Sequence, residues 1–158
     1  MNIQLLNQTD KQRAREMHKV FQRSYSQEAK LLEIEDFPPL QRSSVDLSLS
    51  ESLFYGVHES ENLAAVIELE CQHKRLEINS LVVDPDYFRR GYAENLMRFV
   101  LQYHSWKIAH VETARANLPA ISLYAKLGFV LVRHWLTKER IAKVEMRLKN
   151  SNQFSADE

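Results

Sequence analysis

The chain has 158 residues, 44% of them apolar, and its 21 lysines plus arginines balance 21 aspartates plus glutamates. That length suits one core, the apolar share argues against disorder over most of the chain, and zero net charge argues against a general nucleic-acid or anionic-membrane binder while leaving room for a local basic patch. Cys71 is the only cysteine, which rules out an internal disulfide framework and fits a cytoplasmic location. No apolar run approaches the roughly 20 residues of a membrane span. The N-terminal residues lack the charged-then-apolar order of a signal peptide.

Ile3 to Leu6 reads as a first strand. Thr9 or Asp10 can cap a helix whose apolar stripe is Ala14, Met17, Phe21 and Tyr25. Residues 28–52 read as irregular, with a short helix over Glu28–Leu32 and a break at Phe37-Pro38-Pro39-Leu40. Strands follow over Leu53–His58, Leu63–Gln72 and Leu76–Asp84. After Gly91, apolar residues at 93, 96, 97, 100 and 101 give a helix with one buried face. Ile108–Ala114 is a strand, and Pro119 and Gly128 frame a further helix. Val130–Leu136 and Ile141–Leu148 pair as a final hairpin, and the polar stretch from Asn150 to Glu158 reads as a tail. The order β-α-β-β-β-α-β-α-β-β predicts an α/β (α+β) fold with a mixed, mainly antiparallel sheet flanked by helices, over a single domain of residues 1–149.

The stretch from Leu81 to Ala93 runs from an apolar strand through a Pro-containing turn and two arginines into Gly91 and a helix. That order builds an anion site from helix N-terminal N–H groups, the positive end of the helix dipole, and the Arg89 and Arg90 guanidiniums. Gly91 lets the backbone approach a ligand closely, and the small Ala93 helps.

Val83-Asp84-Pro85 followed by Phe88-Arg89-Arg90-Gly91-Tyr92-Ala93 resembles the acetyl-CoA-binding motif of the GNAT superfamily of N-acyltransferases. Phe88 stands where that motif carries Gln or Arg. A second segment is similar to the family's other hallmark in Asn117, Ala120, Leu123, Tyr124, Leu127, Gly128 and Phe129. The resemblance covers residues 53–148 well and the N-terminal helix loosely. It implies the GNAT fold, with about seven strands and with strands 76–84 and 107–114 splayed. It implies acetyl-CoA as co-substrate and no metal. The pantetheine arm would bond to the backbone of Leu81, Val82 and Val83, and the pyrophosphate would rest on Arg89, Arg90, Gly91, Tyr92, Ala93 and Glu94. Asn117 would bind the arm or hold the loop, and Tyr124 would protonate the departing thiolate.

Attack on a thioester needs a neutral amine, hence a base or a water relay. By resemblance Glu77 falls where the histone-acetylating branch keeps its base. Glu112 falls where the branch acting on ribosomal-protein N-termini keeps its own. Glu68 and Glu70 read as substrate-side or solvent residues. The acidic set Glu28, Glu33, Glu35 and Asp36 suits a cationic acceptor. The function expected is acetyl transfer to a primary amine of a small molecule by a monomer or homodimer. Acetylation of a protein N-terminus or lysine is the alternative within enzymes. A non-catalytic acyl-CoA-binding regulator is the alternative outside them.

Overall fold

The computed structural model describes residues 2–151. Its elements run β1 (Ile3–Leu6), α1 (Lys11–Leu32), α2 (Ser44–Leu49), β2 (Leu53–Glu59), β3 (Asn62–Gln72), β4 (Arg75–Val83), α3 (Tyr92–Tyr103), β5 (Ile108–Ala114), α4 (Leu118–Lys126), β6 (Val130–Leu136) and β7 (Ala142–Lys149). Two short 3-10 turns lie at Pro38–Gln41 and Pro85–Tyr87. The strands form a seven-stranded sheet in the order β1-β2-β3-β4-β5-β7-β6. Among the registered pairs, β4 with β5 is parallel and the rest are antiparallel. This is the mixed, mainly antiparallel α/β architecture that the sequence predicts. No described helix is long and apolar enough to cross a membrane.

The chain divides into two compact units, one holding the residues up to Leu69 with Ser80–Val100, the other Glu70–Asn79 with the residues from Leu101 onward. In the first, the core is Leu6, Met17, Val20, Phe21, Leu47, Phe54, Leu63, Val66 and Val82. α1 starts because the Asp10 carboxylate accepts the N–H groups of Gln12 and Arg13. It is one helix to Leu32, not a helix plus a short second piece. Ala29 is buried and continues the stripe Met17, Phe21, Tyr25 by one more step of four. Its end is a left-handed Glu33, φ 57°, whose N–H returns to Ala29 and Lys30.

The expected irregular stretch also contains α2. Ser43 and Asp46 satisfy each other's backbone N–H groups in a capping box, and the fully buried Leu47 anchors this short helix.

In the second unit, β4 pairs with β5 from Arg75↔Ile108 to Ile78↔Val111. β7 pairs along the whole of β5, from Ile108↔Lys149 to Ala114↔Lys143, and then with β6 on its other side. Trp106, Ala109, Val111, Phe129, Val144 and Met146 are buried there. Asn150 does not begin a free tail: its N–H bonds to the Lys107 carbonyl at 2.9 Å and its side-chain amide to that of Trp106 at 3.1 Å. Residues 152–158 of the expected tail lie outside the described residues.

Candidate active site

In the first unit, β4 ends at Val83 and the buried Asp84 turns the chain. Its N–H reaches back to the Ala64 carbonyl at 2.8 Å, and its Oδ1 accepts the Asp86 N–H at 2.9 Å. Arg23 of α1 grips both carboxylate oxygens, at 2.8 and 3.2 Å. The turn is thereby fixed from three directions. After it, Arg89 (φ 63°) and Gly91 (φ 78°) are both left-handed, and α3 starts at once, its Asn95 N–H reaching the Gly91 carbonyl at 3.0 Å.

Left-handed residues next to a helix start gather N–H groups into a concavity that suits an anion. A Cβ placed on Gly91 would meet nothing closer than Asn95 Nδ2 at 3.8 Å. Glycine is therefore set here by backbone conformation and an open face, not by internal crowding. The arrangement fits a pyrophosphate.

The flanking side chains are committed differently than the sequence suggests. Arg89 is exposed. The Arg90 guanidinium bonds to the Glu59 carboxylate at the end of β2 and lies 5.2 Å from the centre of the Tyr87 ring. The Tyr92 hydroxyl donates to the other Glu59 oxygen at 2.5 Å. These hydrogen bonds from Tyr92 and Arg90 hold the Glu59 carboxyl below its usual range. Glu94 pairs with Arg98 at 2.9 Å, and Ala93 is half-buried. Phe88 is exposed, so the position of the family's Gln or Arg carries an apolar ring facing solvent.

Strand alternation sorts the three β4 residues expected at the pantetheine. Asp84 bonds to β3, so the main-chain groups of Val82 point the same way and those of Leu81 and Val83 point away. Val82 is also fully buried, which leaves Leu81 and Val83 as the available pair. The Val83 N–H donates to Ser24 Oγ at a long 3.4 Å, a bond that a carbonyl of a ligand could replace.

In the second unit, the Asn117 side chain accepts the Ala120 N–H at 3.3 Å, so it caps α4. Tyr124 is the buried residue of α4. Its ring lies 5.9 Å from that of Phe129, and Gly128 (φ 100°) lets the chain turn back between them.

The registers Glu77↔His110↔Arg147 and Glu112↔Glu145 place both candidate bases on one face of this unit's sheet. Glu77 is half-buried and takes Arg75 Nε at 2.5 Å. Glu112 is exposed, with Arg133 Nη2 at 3.8 Å.

Two buried polar groups escape the sequence reading. His110 lies between the candidate bases on that face, its Nδ1 3.2 Å from Glu145 Oε2. Glu145 also takes Arg147 at 2.7 Å and Arg133 at 3.4 Å. Burial would raise its carboxyl, but the Arg147 and His110 contacts outweigh that and lower it.

Glu68, expected at the substrate side or in solvent, is buried in the first unit. It forms a two-pronged pair with Arg42 and accepts the Ser80 hydroxyl at 2.9 Å. Burial pushes its carboxyl up, and the Arg42 hydrogen bonds and charge, with Ser52 and Ser80, bring it below the usual range. A carboxylate held ionised in this way is a poor proton acceptor. The signal for it was present: Glu68 interrupts the apolar run from Leu63 to Leu69, and a charge there must find a partner.

A family model described as "Acetyltransferase (GNAT) family" matches residues 13–129. The UPF0157 protein YqkA of Bacillus subtilis (strain 168) is 35% identical over 129 residues, covering 80% of this chain. The chain spans only 37% of that relative's length.

Solved structures that share the fold include three N-acetyltransferases. The ribosomal-protein-S18-alanine N-acetyltransferase of Escherichia coli has a TM-score of 0.74 at 22% identity, over 94% of this chain and 92% of its own. The PaiA N-acetyltransferase of Thermoplasma acidophilum, in complex with coenzyme A, has 0.72 at 17%, over 95% and 100%. A mutant of the spermidine N-acetyltransferase SpeG of Vibrio cholerae has 0.71 at 19%, over the full length of both. With a GNAT family model covering most of its length, this chain belongs to the acetyltransferase (GNAT) family.

Proposed function

We propose that the chain is an N-acetyltransferase that moves the acetyl group of acetyl-CoA directly to a primary amine of a small molecule. The observation that carries this reading is the Gly91 turn, with its paired left-handed residues, its open glycine face and the start of α3. The backbone of Arg89 to Glu94 holds the pyrophosphate, and the outward main-chain groups of Leu81 and Val83 hold the pantetheine arm. The bound co-substrate supplies an acetyl thioester.

Glu77 or Glu112, directly or through water, takes a proton from the acceptor ammonium so that the nitrogen lone pair can form the C–N bond. The C–S bond breaks, the Tyr124 phenol gives its proton to the sulfur, and the second proton shed by the new amide nitrogen passes through water to the phenolate. Asn117 holds the start of the helix that carries Tyr124. The acidic residues Glu33, Glu35 and Asp36 support a cationic acceptor. They sit exposed at and just beyond the C-terminal end of α1, where the helix dipole disfavours negative charge, so helix stability does not account for them.

A peptide acceptor is the second reading. It is favoured by the exposed apolar run Val130, Leu131 and Val132 on β6, the strand whose Arg133 reaches Glu112.

Thermal unfolding with millimolar acetyl-CoA, with ATP as phosphate control, tests the co-substrate. A ligand at about 100 times its Kd stabilises by about 2.7 kcal/mol, enough for a clear rise in Tm. A rise with acetyl-CoA and not ATP supports the reading. No rise removes it and favours a different binding role. With an acceptor in hand, Tyr124→Phe lowers turnover roughly 10²–10⁴-fold, and wild-type turnover in that variant ends the acid assignment.

A further inference from the structure

The turn assigned to the pyrophosphate carries its own anion. Glu59 closes β2 just before a tight turn in which Ser60 is left-handed, φ 56°. One of its oxygens takes the Arg90 guanidinium and the other takes the Tyr92 hydroxyl. Tyr87 lies against the same guanidinium. Two of the polar side chains flanking Gly91 therefore converge on a single carboxylate from the β2–β3 hairpin.

This contact is poorly suited to holding the fold together. The Arg90 and Glu59 side chains keep 47% and 35% of their surface in solvent. An ion pair so exposed contributes little to stability. Its partner is exchangeable, and a phosphate, with more charge and the geometry to take two guanidinium N–H groups, competes well for arginine. The Glu59 carboxylate also repels any phosphate approaching the cradle.

We propose that Glu59 is a latch that sets the affinity of this turn for phosphate-bearing ligands: Arg90 and Tyr92 rest on Glu59 when no phosphate is bound and transfer to the ligand's phosphates when one is. Glu59 is a positioning residue in this account, since it acts through Arg90 and Tyr92. The balance it sets weakens the grip on the diphosphate and so favours release of the coenzyme after transfer. The inference rests on the assignment of the Gly91 turn as the coenzyme's pyrophosphate site.

The test is titration calorimetry with coenzyme A and with acetyl-pantetheine, which carries no phosphate, on wild type, Glu59→Gln, Glu59→Asp, Arg90→Ala and the Glu59→Gln/Arg90→Ala double variant. Glu59→Gln is expected to bind coenzyme A about three- to tenfold more tightly, with a steeper loss of affinity as salt rises, because the freed guanidinium adds a screened contact. Acetyl-pantetheine is expected to bind wild type and Glu59→Gln equally. Glu59→Asp is expected to return affinity toward wild type. Arg90→Ala is expected to erase the gain.

Unchanged or weaker coenzyme A binding by Glu59→Gln overturns the latch. Equal tightening toward acetyl-pantetheine also overturns it, because the effect would then be a general change in structure. A gain that survives in the double variant removes Arg90 from the account. Wild type that binds no coenzyme A removes the pyrophosphate assignment itself, and the latch with it.

Discussion

Arg42 and Glu68 meet through two parallel hydrogen bonds, Nη1 to Oε1 at 2.7 Å and Nη2 to Oε2 at 2.9 Å, joining the link between the Pro38–Gln41 turn and α2 to the middle of β3. The carboxylate is almost wholly buried and the guanidinium keeps 31% of its surface. Breaking a fully buried pair by removing one partner costs about 3–5 kcal/mol. With Arg42 partly solvated, Glu68→Gln is expected to cost about 2–3 kcal/mol in urea unfolding at pH 7. The folded carboxyl titrates below the ordinary 4.5. Between those two values the unfolded chain binds more protons, so stability is present above about 4.5 and is lost as pH falls toward the folded value. The Glu68→Gln penalty should therefore shrink in that acid window, and a penalty independent of pH there would contradict the ion-pair account.

Tyr25 gives the opposite end of the pH scale. Burial pushes its phenol from 10.0 up to about 12, against the opposing hydrogen bond with Ser80. The folded state keeps the proton after the unfolded chain has lost it. This contribution is whole below pH 10 and disappears as pH rises to about 12, by roughly 2–3 kcal/mol. Tyr25→Phe should lose about 1 kcal/mol at neutral pH and be less sensitive than wild type across that alkaline window. Parallel alkaline stability curves for the two proteins would refute it.

Gly91 separates conformation from ligand approach. Gly91→Ala introduces no clash but forces a side chain into φ 78°, at about 1–2 kcal/mol. Gly91→Asp adds a charge against the proposed phosphate and should abolish the thermal shift with acetyl-CoA while the protein still folds. An undiminished shift in Gly91→Asp would remove the phosphate-site reading.

Steady-state rates of Glu77→Gln and Glu112→Gln decide the base. One of them is expected to lose about 10²–10⁴ in kcat. Near wild-type rates in both variants exclude both carboxylates from the role.

The features legible in the sequence are those whose physics is local. Pro119 at a helix start, Gly128 at its end and Gly91 before Tyr92 each satisfy a local demand of the chain, and each stands where the sequence placed it. Asp10 was readable as a cap for the same reason. The capping box of Ser43 and Asp46 was equally local, but Pro38 and Pro39 just upstream masked it. What the sequence withheld were pairings across long separations. Glu68 was readable as a charge inside an apolar run, but its partner Arg42 is 26 residues away. Glu59 and Arg90 are 31 residues apart, and nothing at either position marks the other. Such contacts depend on which strands and turns end up adjacent, and no periodicity encodes that.

β7 follows β6 in the chain yet lies between β6 and β5 in the sheet. As the polypeptide leaves the ribosome, β5 and β6 emerge first and have no ladder to share. Both edges must wait for residues 142–149, which complete two pairings in one event. A nascent chain arrested before that stretch would expose two unsatisfied strand edges, and these invite association with other chains.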